Sequence, residues 1–416
     1  MKLLSRHIKD KLLEALSDTP VVTLNGARQT GKSTLVQKLA EKDYPAQYLT
    51  LDNIGALSAA KRDPVGFLEG ISGPVIIDEA QRVPELLLAI KAEVDRNRQP
   101  GRFLLTGSAH ILNLPRLSDT LAGRMEILTL WPLSQGEIEN RKEGFIDFLF
   151  GKETPSLKNN QINGKNDLIR RILAGGFPEV LSRPKMERRR AWFESYLSSI
   201  LQRDIRDLAN ITGLTDLPRL LHVLASRAGG LINYADLARD SGLNQVTLKR
   251  YFTLLEGIFI ARTIQPWFTN RIKRIVKSPK LYLCDSGILA HLLDLTEERL
   301  KRDPHLIGAL FENFVAQELM KQRTWSRARP NIYHFRDYIG NEVDFVLEAP
   351  DRKMLVGIEV KSSATVGAND FKGLKILSET LGKNFHRGIV LYTGQEIVPF
   401  GKNLHALPIS FLWNMN

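Results

Sequence analysis

The sequence predicts an α/β chain of several domains whose first sheet is parallel, and three observations carry that prediction. Over the N-terminal third, short apolar runs alternate with helical patterns: VVTLN (21–25), QYLTLD (47–52), PVIID (74–78), RFLLTG (102–107) and MEILTL (125–130). Strands separated by helices imply a parallel sheet covered on both faces. The length, 416 residues, exceeds what one core usually fills, so two to four domains are expected. Helical periodicity then takes over from 167 to about 225, as in LIRRILAGGF, and helix and strand signals mix again from roughly 305. The divisions read from these changes are 1–140, 141–225, 226–300 and 301–416, with a polar loop, GKETPSLKNNQINGKN, at 151–166.

The first strand runs straight into GARQTGKST and an amphipathic helix, TLVQKLAEK. Gly26, Gly31, Lys32 and Ser33 have the spacing of a phosphate-binding loop, in which glycines let backbone N–H groups close on phosphate. Lys32 would reach the terminal phosphates of ATP and Ser33 would bind Mg²⁺; Arg28 and Thr34 complete the candidate nucleotide contacts. PVIID ends in Asp78 and Glu79, two carboxylates emerging from a buried strand. Asp78 would hold the Mg²⁺ shell and Glu79 would orient the attacking water. Thr106 and Ser108 in RFLLTGSA end a further strand, which resembles the place where AAA+ proteins carry a polar residue that senses the γ-phosphate. Arg124, just before the last strand, is the candidate arginine finger for a neighbouring subunit's ATP.

Taken with IIDEAQRVPELL, LTGSA, LAGRMEILTLWPLS, GGFPEV (175–180) and DSGILAHLL (285–293), these motifs make the chain resemble the prokaryotic AAA-type ATPases with a C-terminal DUF4143 domain. The likeness spans nearly the whole chain. It implies a P-loop AAA+ ATPase core, read over 1–140 with a helical lid region at 141–225, and a DNA-related role; a finger supplied in trans by Arg124 requires a neighbour, so a homo-oligomeric ring such as a hexamer or heptamer is expected.

Lys and Arg number 58 against 46 Asp and Glu, a formal charge of +12, which favours an anionic partner such as nucleic acid. The single cysteine, Cys284, excludes an internal disulfide framework and any multi-cysteine zinc site. The start, MKLLSRHIKDKLLEAL, is charged throughout, and no apolar run approaches the roughly 20 residues of a membrane span. A cytoplasmic location with no membrane contact is therefore expected.

Between 226 and 300, YADLARDS, a turn containing glycine and NQVTLKRYFTLLEG have helix-turn-helix spacing, followed by an apolar run that would form a wing. Gln245, Thr247, Lys249 and Arg250 fall near the exposed start of the second helix. From Arg219 to Lys280 there are eleven basic residues and three acids, a net of +8. Arg271, Lys273, Arg274 and Lys277 in the wing would meet DNA phosphates. A winged helix used for protein docking is the alternative.

In the last block, NEVDFVLE and MLVGIEVKSS put charges into strand-like runs. Val343, Phe345 and Leu347 would share one face with Asp344 on the other, and Glu359 and Lys361 would share a face. If 349–354 forms a symmetric hairpin loop, Asp344 sits opposite Glu359, a like-charge pair that needs a cation between them. With Glu312 on a preceding helix, the pattern resembles the PD-(D/E)xK, restriction-endonuclease-like fold. That resemblance implies Asp344, Glu359 and Glu312 as Mg²⁺ ligands and Lys361 as the residue that positions the water. A plain ion pair, or a nuclease fold kept only as a platform, remains open. The chain as a whole then reads as a DNA-binding ATPase acting on branched or damaged DNA, with a metal-dependent nuclease activity as its further expectation, or as a nucleotide-dependent switch on a protein partner or promoter with an inactive nuclease fold.

Overall fold

The structure, a computed structural model, describes residues 4–108, 121–155, 164–209, 216–351 and 353–415. Strands β1 (Val21–Asn25), β2 (Gln47–Thr50), β3 (Val75–Asp78), β4 (Phe103–Gly107) and β5 (Met125–Thr129) form one parallel sheet in the order β2-β3-β4-β1-β5. Each lies on a run anticipated as a strand. β1, β3 and β4 are buried along their length, which explains their continuous apolar character: helices cover both faces. Val22, Leu24 and Ile76 pack with Leu35, Val36 and Leu39 on one side, and Val75, Ile77 and Leu105 with Leu86 and Ile90 on the other. The strand order sets the C-terminal ends of β3, β4 and β1 side by side, the crevice in which α/β sheets bind ligands.

Helices at Phe145–Phe150, Lys165–Ala174, Met186–Ala209 and Leu217–Ser226 follow. The helices Tyr234–Ser241 and Gln245–Gly257 then meet at Gly242, whose φ of 76° suits glycine. Asn244 caps the second helix by accepting from the Thr247 N–H at 2.9 Å. β6 (Ala261–Ile264) and β7 (Lys280–Leu283) pair antiparallel. The basic stretch between them is not a plain hairpin loop, since Arg271–Val276 is a short helix.

The C-terminal sheet holds β8 (Asn331–Arg336), β9 (Glu342–Glu348), β10 (Leu355–Lys361), β11 (Phe385–Tyr392), β12 (Val398–Pro399) and β13 (Leu404–Pro408), in the order β12-β13-β11-β10-β9-β8. It is mixed: β8, β9 and β10 are antiparallel, and β10, β11 and β13 parallel. One face packs on the helix His305–Arg323, which is buried nearly all round because it lies between the sheet and the helices of the middle. A single apolar cluster runs from Phe145 through Leu221, Phe252, Ile288 and Phe314 to Trp413. The second, third and fourth segments of the sequence reading therefore share one core.

The β9–β10 register is the one the symmetric loop predicts: Leu355 faces Glu348 and Ile358 faces Phe345. One expectation changes. Val343 packs with Val346 and Leu355 on the outer face, and not with Phe345 and Leu347. The cause is a bulge: Tyr333 pairs with Val346 but Phe335 pairs with Val343, so β9 spends three residues where β8 spends two. The extra residue lies at Asp344–Phe345 and re-aims the acid.

The motifs WPLS, GGF and DSG converge on one knot. The Leu133 N–H donates to the Gly176 carbonyl at 2.8 Å. Asp285 accepts from the Gly176 N–H at 2.8 Å and from the Gly287 and Ile288 N–H groups at 2.9 and 3.1 Å. A Cβ at Gly175 would collide with the Asp285 carboxylate, and one at Gly176 with the Leu133 carbonyl. Lys321, buried and paired with Glu318 at 2.7 Å, donates to the same Leu133 carbonyl at 3.0 Å. The knot ties the first sheet's exit to both later blocks.

Candidate functional site

At the end of β1, Gly26 has a φ of 151° and its missing Cβ leaves room for the Leu130 carbonyl. The loop then closes into the helix Lys32–Lys42, where Gly31 sits at φ 94°. The Lys32 ammonium is buried and donates to the Gly26 and Ala27 carbonyls, both at 2.9 Å. The Ser33 hydroxyl donates to Asp78 Oδ1 at 3.1 Å, so the two residues expected around Mg²⁺ stand together across the crevice. Thr34 lines a cavity of about 320 Å³ beside the loop, shared with Arg6, Lys38 and Pro178. The Arg28 carbonyl accepts from Tyr196, a residue of the long helix Met186–Ala209, at 3.2 Å. The loop is thus touched by the middle block.

Asp78 also accepts from Tyr48 at 2.8 Å and from Thr106. Burial and the Asp78 carboxylate push the Tyr48 phenol up to about 12. Glu79 is left-handed, with φ 58°. Its N–H donates to Thr106 Oγ1 at 3.1 Å, and its carboxylate accepts from Gln81, which also donates to Ser108 Oγ at 3.0 Å. Thr106 therefore places both acids, while Ser108 is linked to Glu79 through Gln81. Sequence reasoning did not single out Tyr48, Gln81 or Tyr196. Gln81 had a usable signal, standing two residues after the acid pair.

Arg124 lies before β5, at the N-terminal edge of the sheet, because Met125 pairs with Val21 at the start of β1. Its own phosphate loop is at the opposite edge, about 13 Å along the strand. Nε donates to Asp95 at 2.5 Å. Within one chain Arg124 does not reach the loop.

The C-terminal acids meet a cation, but one the sequence reading had placed elsewhere. Lys280, the last residue of the basic block 219–280, is 2% exposed and sets its ammonium 2.6 Å from Glu342, 2.9 Å from Glu312 and 3.1 Å from Asp344. Burial alone would lower its pKa, but Asp344, Glu312 and Glu342 outweigh that and raise it. Tyr282 donates to Glu312 at 2.7 Å, and the Val360 N–H donates to Asp344 at 2.9 Å. Burial and Asp344 push Glu312 up to about 7 and Glu359 up to about 8. Lys361 pairs with Glu359 at 2.8 Å. Among the described residues, no group of three or more His, Cys, Asp or Glu is arranged to hold a metal ion. Glu312 and Asp344 share Lys280 while Glu359 pairs with Lys361, and with an ammonium seated between the first two these acids do not fit a divalent ion.

On the helix-turn-helix, Gln245, Lys249 and Arg250 are exposed and Thr247 is half-buried, while Leu248, Tyr251, Phe252 and Leu255 face the core. Lys249 lies over the Tyr234 ring at 5.2 Å. Lys273 and Lys277 are exposed; Arg271 opens its short helix, and its side chain lies outside the described residues. Arg274 corrects the expectation of a phosphate contact. Its guanidinium donates to Glu348 at 2.7 and 3.0 Å and lies over the Trp267 and Tyr333 rings. Those partners draw it inward, clamping the short helix Arg271–Val276 to the C-terminal sheet. No helix among the described residues is long and apolar enough to cross a membrane.

Three families match in succession: an AAA domain over residues 18–139, a domain of unknown function (DUF8612) over 165–299, and a second (DUF4143) over 307–412. The chain is 31% identical over 406 residues to the uncharacterized proteins Rv2008c of Mycobacterium tuberculosis and Mb2031c of Mycobacterium bovis. Each match covers 97% of this chain and 83% of the relative. Among solved structures, the RuvB Holliday junction branch migration motor of Thermotoga maritima matches at 20% identity with a TM-score of 0.31, covering 72% of this chain and 94% of that one. The phosphate loop, the acid pair at the end of β3 and the ordered family matches that enclose them place the chain in the family of AAA-type ATPases that carry a C-terminal DUF4143 domain.

Proposed function

We propose that this ATPase works on DNA, binding it through the helix-turn-helix at 234–257 and coupling that grip to ATP hydrolysis in an oligomeric ring. The outward set Gln245, Lys249 and Arg250, on a helix whose opposite side is locked in the core, carries the reading. A recognition helix needs such a rigid back and a polar, cationic front. Ser33 and Asp78 would hold Mg²⁺, which neutralises phosphate charge when bound with the nucleotide. Lys32 would take the terminal phosphates, and Glu79 would orient water. Branched or damaged DNA is the substrate class we favour. A second reading, a nucleotide-dependent switch whose C-terminal sheet serves as a docking platform, draws support from the lysine seated among the acids of that sheet.

DNA affinity should fall steeply with salt. Lys249→Ala with Lys273→Ala should weaken binding and lower the salt slope by about one unit per lost phosphate contact. Arg274 is left intact because its loss would break the clamp on Glu348. Fluorescence anisotropy on duplex, forked, junction and single-stranded DNA, with and without ATP, reads both effects. Binding unchanged by the double variant would favour the docking role.

An arginine finger supplied by a neighbour requires assembly. Turnover per chain should therefore drop as the protein is diluted to monomer, and Arg124→Ala should hold the concentrated protein near the diluted rate. A rate per chain independent of concentration would remove Arg124 from the site.

A further inference from the structure

We infer that Lys280 is the resident cation of the C-terminal acidic site and that, while β7 is seated, its ammonium excludes divalent metal. An ammonium group has three N–H donors. Here three carboxylates lie at hydrogen-bond distance: Glu342 at 2.6 Å, Glu312 at 2.9 Å and Asp344 at 3.1 Å. Every donor has its own anion. A Mg²⁺ ion needs oxygen at about 2.1 Å in octahedral array and keeps several waters. It cannot share these oxygens with an ammonium about 3 Å away without strong like-charge repulsion.

The lysine side chain is buried, with its ammonium enclosed by the three carboxylates, and its backbone is fixed too. It opens β7, where it pairs with Ile264 of β6 and bridges to Leu231. The turn at Gly229–Gly230 fastens β7 as well, with the Gly229 N–H donating to the Leu281 carbonyl at 2.7 Å and the Leu281 N–H to the Gly230 carbonyl at 2.9 Å. Tyr282, two residues on, holds Glu312 from the same strand. Freeing the acids therefore means withdrawing β7 itself, and with it the winged block that Arg274 also clamps through Glu348. The acidic site is a lysine-occupied latch between the middle block and the C-terminal sheet. This conclusion does not depend on ATP or DNA.

The test is a titration of nucleotide-free protein with Mn²⁺, following the free ion by electron paramagnetic resonance. The wild-type chain should bind no Mn²⁺ that Asp344→Asn removes, even at millimolar ion. Lys280→Met should gain one Mn²⁺ per chain, and that ion should be lost again in Lys280→Met with Asp344→Asn. In chelator, Lys280→Met should melt lower than wild type by about 5 °C or more, because it leaves buried acids without their partner. Mn²⁺ should restore much of the loss and leave the wild-type melting point unmoved. A stoichiometric wild-type site that Asp344→Asn abolishes would overturn the inference, as would a folded Lys280→Met chain that gains no ion. If Lys280→Met fails to fold, the wild-type titration decides alone: a site sensitive to Asp344→Asn refutes the latch, and its absence upholds it.

Discussion

Glu79→Gln should bind ATP as the parent does and hydrolyse it about 10²–10⁴-fold more slowly. The amide keeps the shape of the side chain but no longer offers a base to orient water. Binding should survive because the phosphate loop and Lys32 lie on a separate element, at the head of the helix Lys32–Lys42, while Glu79 stands beyond β3, held by Gln81 and by Thr106 beneath its N–H. Fluorescent-nucleotide affinity and single-turnover hydrolysis separate the two quantities. Equal turnover in the two proteins would sink the assignment.

Asp285→Ala is expected to be the most damaging substitution away from that site, at about 3–5 kcal/mol of stability. The carboxylate is buried and answers three backbone N–H groups, those of Gly176, Gly287 and Ile288. Burial raises its pKa, opposed by Lys321 and by these donors. Alanine would strand all three donors where no water reaches them and open a void against Gly175. Denaturant titration of both proteins measures the loss; a difference under about 1 kcal/mol would mean that the knot carries little of the fold.

Much of this architecture was legible along the chain. The parallel sheet announced itself because fully buried strands such as β1 and β3 are mostly apolar runs with glycine or acid just beyond or at their ends. The β9–β10 register was legible because a short symmetric loop leaves one pairing. The face of Val343 was not, since the bulge arises from pairing with β8, which the β9–β10 pattern does not contain. Lys280 was misplaced for a related reason. Local charge density made it one more wing cation, whereas its partners lie 32 and 64 residues further on. Arg274 was misread likewise, its carboxylate being 74 residues away. Motif spacing finds groups that act on a ligand from one loop. It does not find ion pairs whose members the fold gathers from distant segments.

The apolar cluster shared from Phe145 to Trp413 bears on how such chains can be cut and inherited. The DUF8612 and DUF4143 matches meet between residues 299 and 307, yet Ile288, Leu292 and Leu295 before that seam pack in the same cluster as Ile307, Leu310 and Phe311 after it. A fragment ending at the seam would lose the buried helix His305–Arg323 and leave a greasy surface on each half. The two segments are therefore one heritable cassette, to be gained, lost or cloned together, whereas the parallel sheet of the ATPase keeps apolar clusters of its own on both faces.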